Sequence, residues 1–276
     1  MNKRHFAPGA RAAGRFGLLT AACIAMGYML LPLVFVTWLA FFRQEIPSFP
    51  PEGYSLRWFA AIPDNDRFVQ GFILSFEVAL AATAIGLTLG VPAAFCVSRY
   101  TFPGREALSN IFLLPLIVPG VVLGIALYVF DVEAEIVTDW PILGSIGGLV
   151  AGHVLIVVPW VVRLVMASLA NADRAIEEAA QSLGANRFTT FRRVTIPTIL
   201  PGVVAASLFG FVSSFGNLEM SLFLVGPGRT TLPIAILQYL EWKIDPTIAA
   251  VSVVQIALIA TAMLLTDRFV NLSRVV

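Results

Sequence analysis

The chain has 276 residues, of which 58% are hydrophobic and 13% charged, and its formal net charge is +1. Soluble domains average about 45–50% apolar and about 25% charged residues, so a water-soluble class is excluded and the bilayer is the expected solvent. A charge sum near zero also gives no basic face for nucleic acid, and what carries information is where the charges sit.

A hydrocarbon core about 30 Å thick takes about 20 apolar residues as a helix, and six stretches of the chain qualify. After a basic segment, residues 1–15, the first stretch runs from Phe16 to Phe42. Its apolar run exceeds the roughly 7–15 residues of a signal-peptide core, so it is expected to stay as a permanent helix. The second runs from Val78 to Tyr100, with Glu77 at its edge and Gly86 and Gly90 offering a small-residue face to a neighbour. The third, Ala107 to Phe130, contains Pro115, Pro119 and Gly120. Each proline removes a backbone donor, so a kink or break is expected near the middle of this helix. Freed backbone groups at membrane depth are tolerated where protein or a water-filled cavity satisfies them, which leaves two uses for the kink, lining a pathway or shaping the packing. The fourth stretch starts near Ile142 and ends at Val162, with Gly144, Gly147, Gly148 and Gly152 as further packing positions.

A polar connection, residues 167–200, follows. Asp173 is an expected N-cap for a short helix, Arg174 to Leu183, and Gly184 stands where a left-handed C-terminal cap belongs. That helix would carry Ala175, Ile176, Ala179, Ala180 and Leu183 on one side and Glu177, Glu178 and Gln181 on the other. Asn186 is placed to cap a second helix, Arg187 to Thr195, with Phe188, Phe191 and Val194 on one stripe, which Pro197 and Pro201 are expected to end.

The fifth stretch, Pro201 to Gly226, holds one acid, Glu219, about 27 Å along the helix from Pro201 and so toward the far end of the span. An ionised group there is costly, so Glu219 is either a meeting point for a cation or an interfacial carboxylate bonded to Asn217, Ser221 or a neighbouring helix. The sixth stretch runs from Thr247 to Thr266, and residues 271–276 form a tail. With the N-terminus inside, the inner side holds Lys3, Arg4, Arg11, Arg15, Arg99, Arg105, Arg163, Arg174, Arg187, Arg192, Arg193, Arg268 and Arg274, which is 13 of the 18 bases. Both termini and the 167–200 connection are therefore expected to be cytoplasmic. Cys23 and Cys96 fall in opposite halves of predicted spans and read as buried thiols, not a disulfide. His5 and His153 have no second ligand at helical or hairpin spacing, so no metal site is expected. No Gly-x-x-x-x-Gly-Lys-Ser/Thr loop and no catalytic constellation occur.

One spacing goes further. Glu178-Ala179-Ala180, three residues, Gly184, nine residues, Val194, one residue and Ile196-Pro197 resembles the EAA loop of permease subunits in binding-protein-dependent ABC importers. The segment Pro50 to Trp58, Arg99-Tyr100, Leu114 to Gly120, His153 with Pro159, Gly226 to Pro233 and Ile244 to Ser252 look similar to the polyamine permease group, so the likeness covers about residues 16 to 270. Where that group usually carries Phe-Asp-Glu, this chain has Phe215-Gly216-Asn217. The resemblance implies an all-α, six-helix, type I ABC importer permease fold forming one transmembrane domain over residues 16–270, in a bacterial inner membrane. It implies that Glu178, Ala179, Ala180, Gly184, Ile196 and Pro197 belong to the contact with an ATPase. Pro115, Pro119, Gly120, Asn217 and Glu219 are the candidates for the translocation path. The implied partners are an ATPase dimer that binds ATP and Mg²⁺, a second permease chain of different sequence and an extracytoplasmic solute-binding protein, with lipid around the helices. The implied cargo is a polyamine or related small amine or organic ion, with an aminoalkylphosphonate as the alternative. A secondary transporter is the competing class; it would show inverted repeats and midplane ion ligands, and neither is visible in the sequence.

Overall fold

The computed structural model describes residues 8–269, so Lys3, Arg4, His5, Arg274 and the 271–276 tail lie outside the described residues. The described chain falls into two compact units, one holding the residues up to Asp64 with Lys243–Ile256, the other holding Asn65–Trp242 with the residues from Ala257 on.

In the first unit, α1 (Pro8–Leu39) keeps its apolar side chains exposed from Phe16 to Phe35, as a helix solvated by lipid can. The chain then doubles back. Arg43 N–H donates to Gly53 O and Ser55 N–H to Phe41 O, and the Trp58 indole of α2 (Arg57–Ala60) donates to Phe42 O at 2.6 Å. Rings of Phe35, Trp38, Phe42, Phe49 and Tyr54 pack on one another here, an aromatic cluster of the kind that anchors a membrane–water boundary. Ala40 and Trp58 are buried with Ala249 and Ala250 of α12 (Thr247–Phe269).

The second unit is built on three long helices, α3 (Asp66–Arg99), α6 (Ile146–Asn171) and α9 (Ile196–Phe215). Asn65 caps α3 by accepting the Arg67 N–H, so this helix starts twelve residues before the expected Val78. At 34 residues it is about 51 Å long, more than a bilayer core requires. Its seam against α6 is made of small residues: a Cβ on Gly86 would stand 2.5 Å from Val157 Cγ1, and one on Gly90 would stand 2.7 Å from Val161 Cγ1. Val157, Val161, Val162, Val165 and Leu169 of α6 are fully buried in this core with Ala82 and Ala94 of α3 and Ile199 and Ala206 of α9. Between α3 and α6 come α4 (Arg105–Leu113), a 3₁₀ turn at Leu114–Leu116, and α5 (Gly120–Thr138).

Among the described residues, five helices are long and apolar enough to cross a membrane, and the bent pair Arg105–Leu116 with Gly120–Thr138 makes the sixth crossing if it counts as one. The bend is 101°, so the expected break at Pro115–Gly120 is present and sharp. The expected fifth span is corrected. α9 ends at Phe215, and α10 (Leu218–Leu224) is a separate helix, because Gly216 leaves the helical frame and Asn217 is extended, its side chain accepting the Met220 N–H at 2.8 Å. The expected end of the 187–195 helix at Pro197 is also corrected: residues 187–215 run on as one rod, through α8 (Arg187–Thr190), a π turn at Phe191–Thr195 and α9. In that turn the Ile196 N–H reaches back to Phe191 O, and the slipped register leaves Pro197 in the first turn of a new helix, where no donor is needed. Cys23 and Cys96 are both free thiols and both exposed, so neither is the buried thiol expected. An additional helix, α11 (Leu232–Trp242), lies along α3; its Leu232 N–H donates to Ser75 Oγ and its Tyr239 ring packs on Phe68.

Candidate functional site

The first candidate is the hairpin made by α7 (Arg174–Ser182) and α8. Its caps are the ones the residues predict. Asp173 Oδ1 accepts the Ala175 N–H at 2.9 Å and Asn186 Oδ1 accepts the Thr189 N–H at 2.8 Å. Gly184 has φ +91°, and its N–H and that of Ala185 bond to Gln181 O and Ala180 O, closing a Schellman motif. The sharp reversal this gives holds α7 against α8 and the π turn.

On α7 the buried residue comes from the polar side. Glu177 is buried, while Ala175, Ile176, Ala179 and Leu183 are exposed, Leu183 at 90% of its free area. Phe188 of the expected stripe is exposed, whereas Val194 and Phe191 are half-buried, Phe191 against the Phe95 ring at 4.7 Å. Glu177 is received by Arg99, the last residue of α3: Nε lies 3.1 and 3.2 Å from the two carboxylate oxygens and Nη2 3.1 Å from Oε1. Glu178 faces outward, paired with Arg174 across one turn at 3.3 Å with both partners about two-thirds exposed. Arg187 lies over the Tyr100 ring. The sequence pattern singles out Glu178 and passes over Glu177. The signal that could have found Glu177 is Arg99, a base ending a long apolar helix on the same side as the hairpin.

The second candidate is where the two broken helices meet. α10 packs on α5, and a Cβ on Gly120 would collide with the Glu219 carboxylate, so the glycine after the Pro119 break makes the space for that acid. Gly124, one turn on, lies against Phe223 and the Glu219 carbonyl. Pro115 is in the 3₁₀ turn that packs on α6, before the bend, and Pro119 is the residue from which α5 starts. Glu219 is exposed in the first turn of α10, not in the fifth span, and Asn217 is the cap that starts this turn. The break is fixed from behind by His153 of α6, which is buried with Nδ1 2.7 Å from Ser214 Oγ and Nε2 3.2 Å from Ser221 Oγ. One imidazole therefore spans the end of α9 and the start of α10. Of the five residues expected on a path, the fold brings Gly120, Asn217 and Glu219 together at the junction, with Pro119 at its edge.

These features are those of a helical transport subunit, and comparison with known proteins names the family. Residues 86–274 match the family described as binding-protein-dependent transport system inner membrane component, and the chain belongs to it. It is 29% identical over 201 residues to the putrescine transport system permease protein PotI of Escherichia coli K12, covering 72% of each chain. It is 25% identical over 245 residues to the spermidine/putrescine permease PotC of Haemophilus influenzae, covering 88% of this chain and 92% of that one. It is also 30% identical over 216 residues to the molybdenum transport system permease ModB of Escherichia coli K12, covering 74% and 94%. Among solved structures it overlays a chain of a bacterial ABC transporter that imports alginate with a TM-score of 0.69, at 13% identity and over 97% and 99% of the two chains, which establishes the fold. The chain is thus a multi-pass inner-membrane permease subunit of an ABC importer, working within a complex in which ATP hydrolysis belongs to a separate ATPase.

Proposed function

We propose that this permease carries a small organic cation of the polyamine type and that the α7–α8 hairpin is the surface its ATPase grips. The hairpin would be cytoplasmic, ATP and Mg²⁺ would be held by an ATPase dimer, and a second permease chain and an extracytoplasmic solute-binding protein would complete the path. The inside-out burial of α7 supports the grip: an apolar face with small residues is left open, while a carboxylate is spent on internal attachment. Two relatives are polyamine permeases by name, and ModB is by name a molybdenum permease. The observation that carries the cation reading is Glu219, an exposed carboxylate at the junction of the two broken helices in a place shaped for it by Gly120. An acid there attracts an amine and repels molybdate.

The test is uptake by the complete system in proteoliposomes, with labelled putrescine and labelled molybdate offered separately. Putrescine uptake dependent on ATP is expected, and Glu219→Gln, which keeps shape but not charge, should lower it about tenfold or more per assembled complex, as the loss of a charge-assisted contact does. Molybdate uptake without putrescine uptake would overturn the substrate reading. Putrescine uptake unaffected by Glu219→Gln would remove Glu219 from the path.

A further inference from the structure

The hairpin must do more than bind a partner, because a push on a surface loop moves helices only if something stiff joins them. Three helix ends converge on one guanidinium. Arg99 ends α3, its Nε and Nη2 hold both oxygens of Glu177 in the first turn of α7, and Nη2 lies 3.5 Å from the carbonyl of Ala172, the residue that caps α6. Both side chains of the pair are nearly buried, with 12% and 10% of their area exposed. A forked contact fixes orientation as well as distance, which a single lysine ammonium cannot do. Among the described residues, the hydrogen bonds between α3 and α7 all run through this pair. α3 in turn packs on both α6 and α9, in the core that all three helices share, so whatever turns α3 turns the core of the second unit.

We propose that the Arg99–Glu177 fork is the joint that carries movement of the hairpin into α3 and α6, and that Glu177 and Arg99 are positioning residues for transport. The inference rests on the hairpin being the ATPase contact. Division of labour between adjacent glutamates follows: Glu178 is exposed and available to a partner, Glu177 is committed inward. The flanking contacts agree with a stiff joint, since Phe191 of the π turn packs on Phe95 of α3 one turn before Arg99, and Arg187 covers Tyr100 just after it. A buried ion pair adds little net stability over an apolar replacement, so geometry is the more natural reason for one here.

The experiment uses the full transporter in proteoliposomes and measures solute moved per ATP hydrolysed in the assembled complex for wild type, Glu177→Gln and Arg99→Lys. Arg99→Lys keeps the buried carboxylate paired while abolishing the fork, so it assembles even where Glu177→Gln does not. A joint predicts that both lower the ratio about tenfold, within the range of energetic coupling between distant sites, while ATP hydrolysis continues. A ratio equal to wild type in Arg99→Lys overturns the proposal, whether or not the amount of complex falls, since the pair would then serve folding alone. A separate control, Leu183→Cys cross-linked to the ATPase in the otherwise wild-type complex, distinguishes the two readings. Absence of that cross-link removes the hairpin as the contact, whereas its presence with normal coupling in Arg99→Lys rejects the joint only.

Discussion

Gly184 holds φ at +91° with no atom within 4 Å of where a Cβ would stand. The demand for glycine is therefore purely one of backbone conformation, at about 1–2 kcal/mol for an ordinary L residue. Gly184→Val should loosen the turn between α7 and α8 and lower ATP-driven uptake about tenfold for that cost, with insertion unchanged, while Gly184→Asn, which tolerates the left-handed region, should retain most activity. Uptake per inserted protein checks this, and a Val variant as active as wild type would show that coupling does not need the cap. At this scale the sequence was most legible where a side chain acts on its own backbone: Asp173, Gly184 and Asn186 each occupy the capping role their neighbours imply. It was least legible where a side chain has two environments to choose between. Glu177 reads as a solvent-facing acid on a helical wheel, but a hairpin seated on the end of α3 turns it to Arg99 and leaves its apolar face open. Cys23 and Cys96 mislead for a related reason, because an apolar position in a membrane helix can face lipid instead of a neighbouring helix, and both are exposed.

Among elements, hydropathy finds the crossings and misses where they break. Pro115, Pro119 and Gly120 announce the 101° bend before α5 because they disrupt the backbone directly. The break at Gly216–Asn217 is hidden inside an apolar run, and only the pairing of a glycine with a capping asparagine marks it. Pro197 and Pro201 are the opposite case, prolines that end nothing because the π turn absorbs the first. Packing between elements follows from small residues. Lipid is as apolar as the side chains, so close van der Waals contact, not exclusion of water, holds α3 to α6. Gly86→Leu would drive a side chain into Val157 and should cost about 1–3 kcal/mol. Thermal unfolding of the purified chain in detergent should show a lower midpoint for Gly86→Leu and none for Gly27→Leu, where nothing lies within 4 Å. Equal midpoints for both would mean the α3–α6 seam contributes nothing to stability.

At the scale of the whole molecule, the described helices give five crossings and one bent pair. Counting the bent pair as one crossing makes six, from which a shared side for the first and last crossings is expected, with charge deciding which side. With the N-terminus inside, thirteen of 18 Lys and Arg residues would fall on the side that includes the hairpin, Arg174 and Arg187 within it and Arg192 and Arg193 in the π turn that follows. Short loops rich in Lys and Arg stay cytoplasmic, so the hairpin is expected inside, with Trp242, the last residue of α11, outside. Asn186 caps α8 and is a poor labelling site, so Ser182, exposed at the end of α7, takes the probe. Because Cys23 and Cys96 are free and exposed, the label must be read in a background with both replaced. Trp242 is 85% exposed and serves as the opposite marker. A membrane-impermeant maleimide on intact cells should label Trp242→Cys and spare Ser182→Cys until the membrane is permeabilised. Labelling of Ser182→Cys in intact cells, with Trp242→Cys silent, would invert the molecule and place the hairpin where no ATPase could reach it.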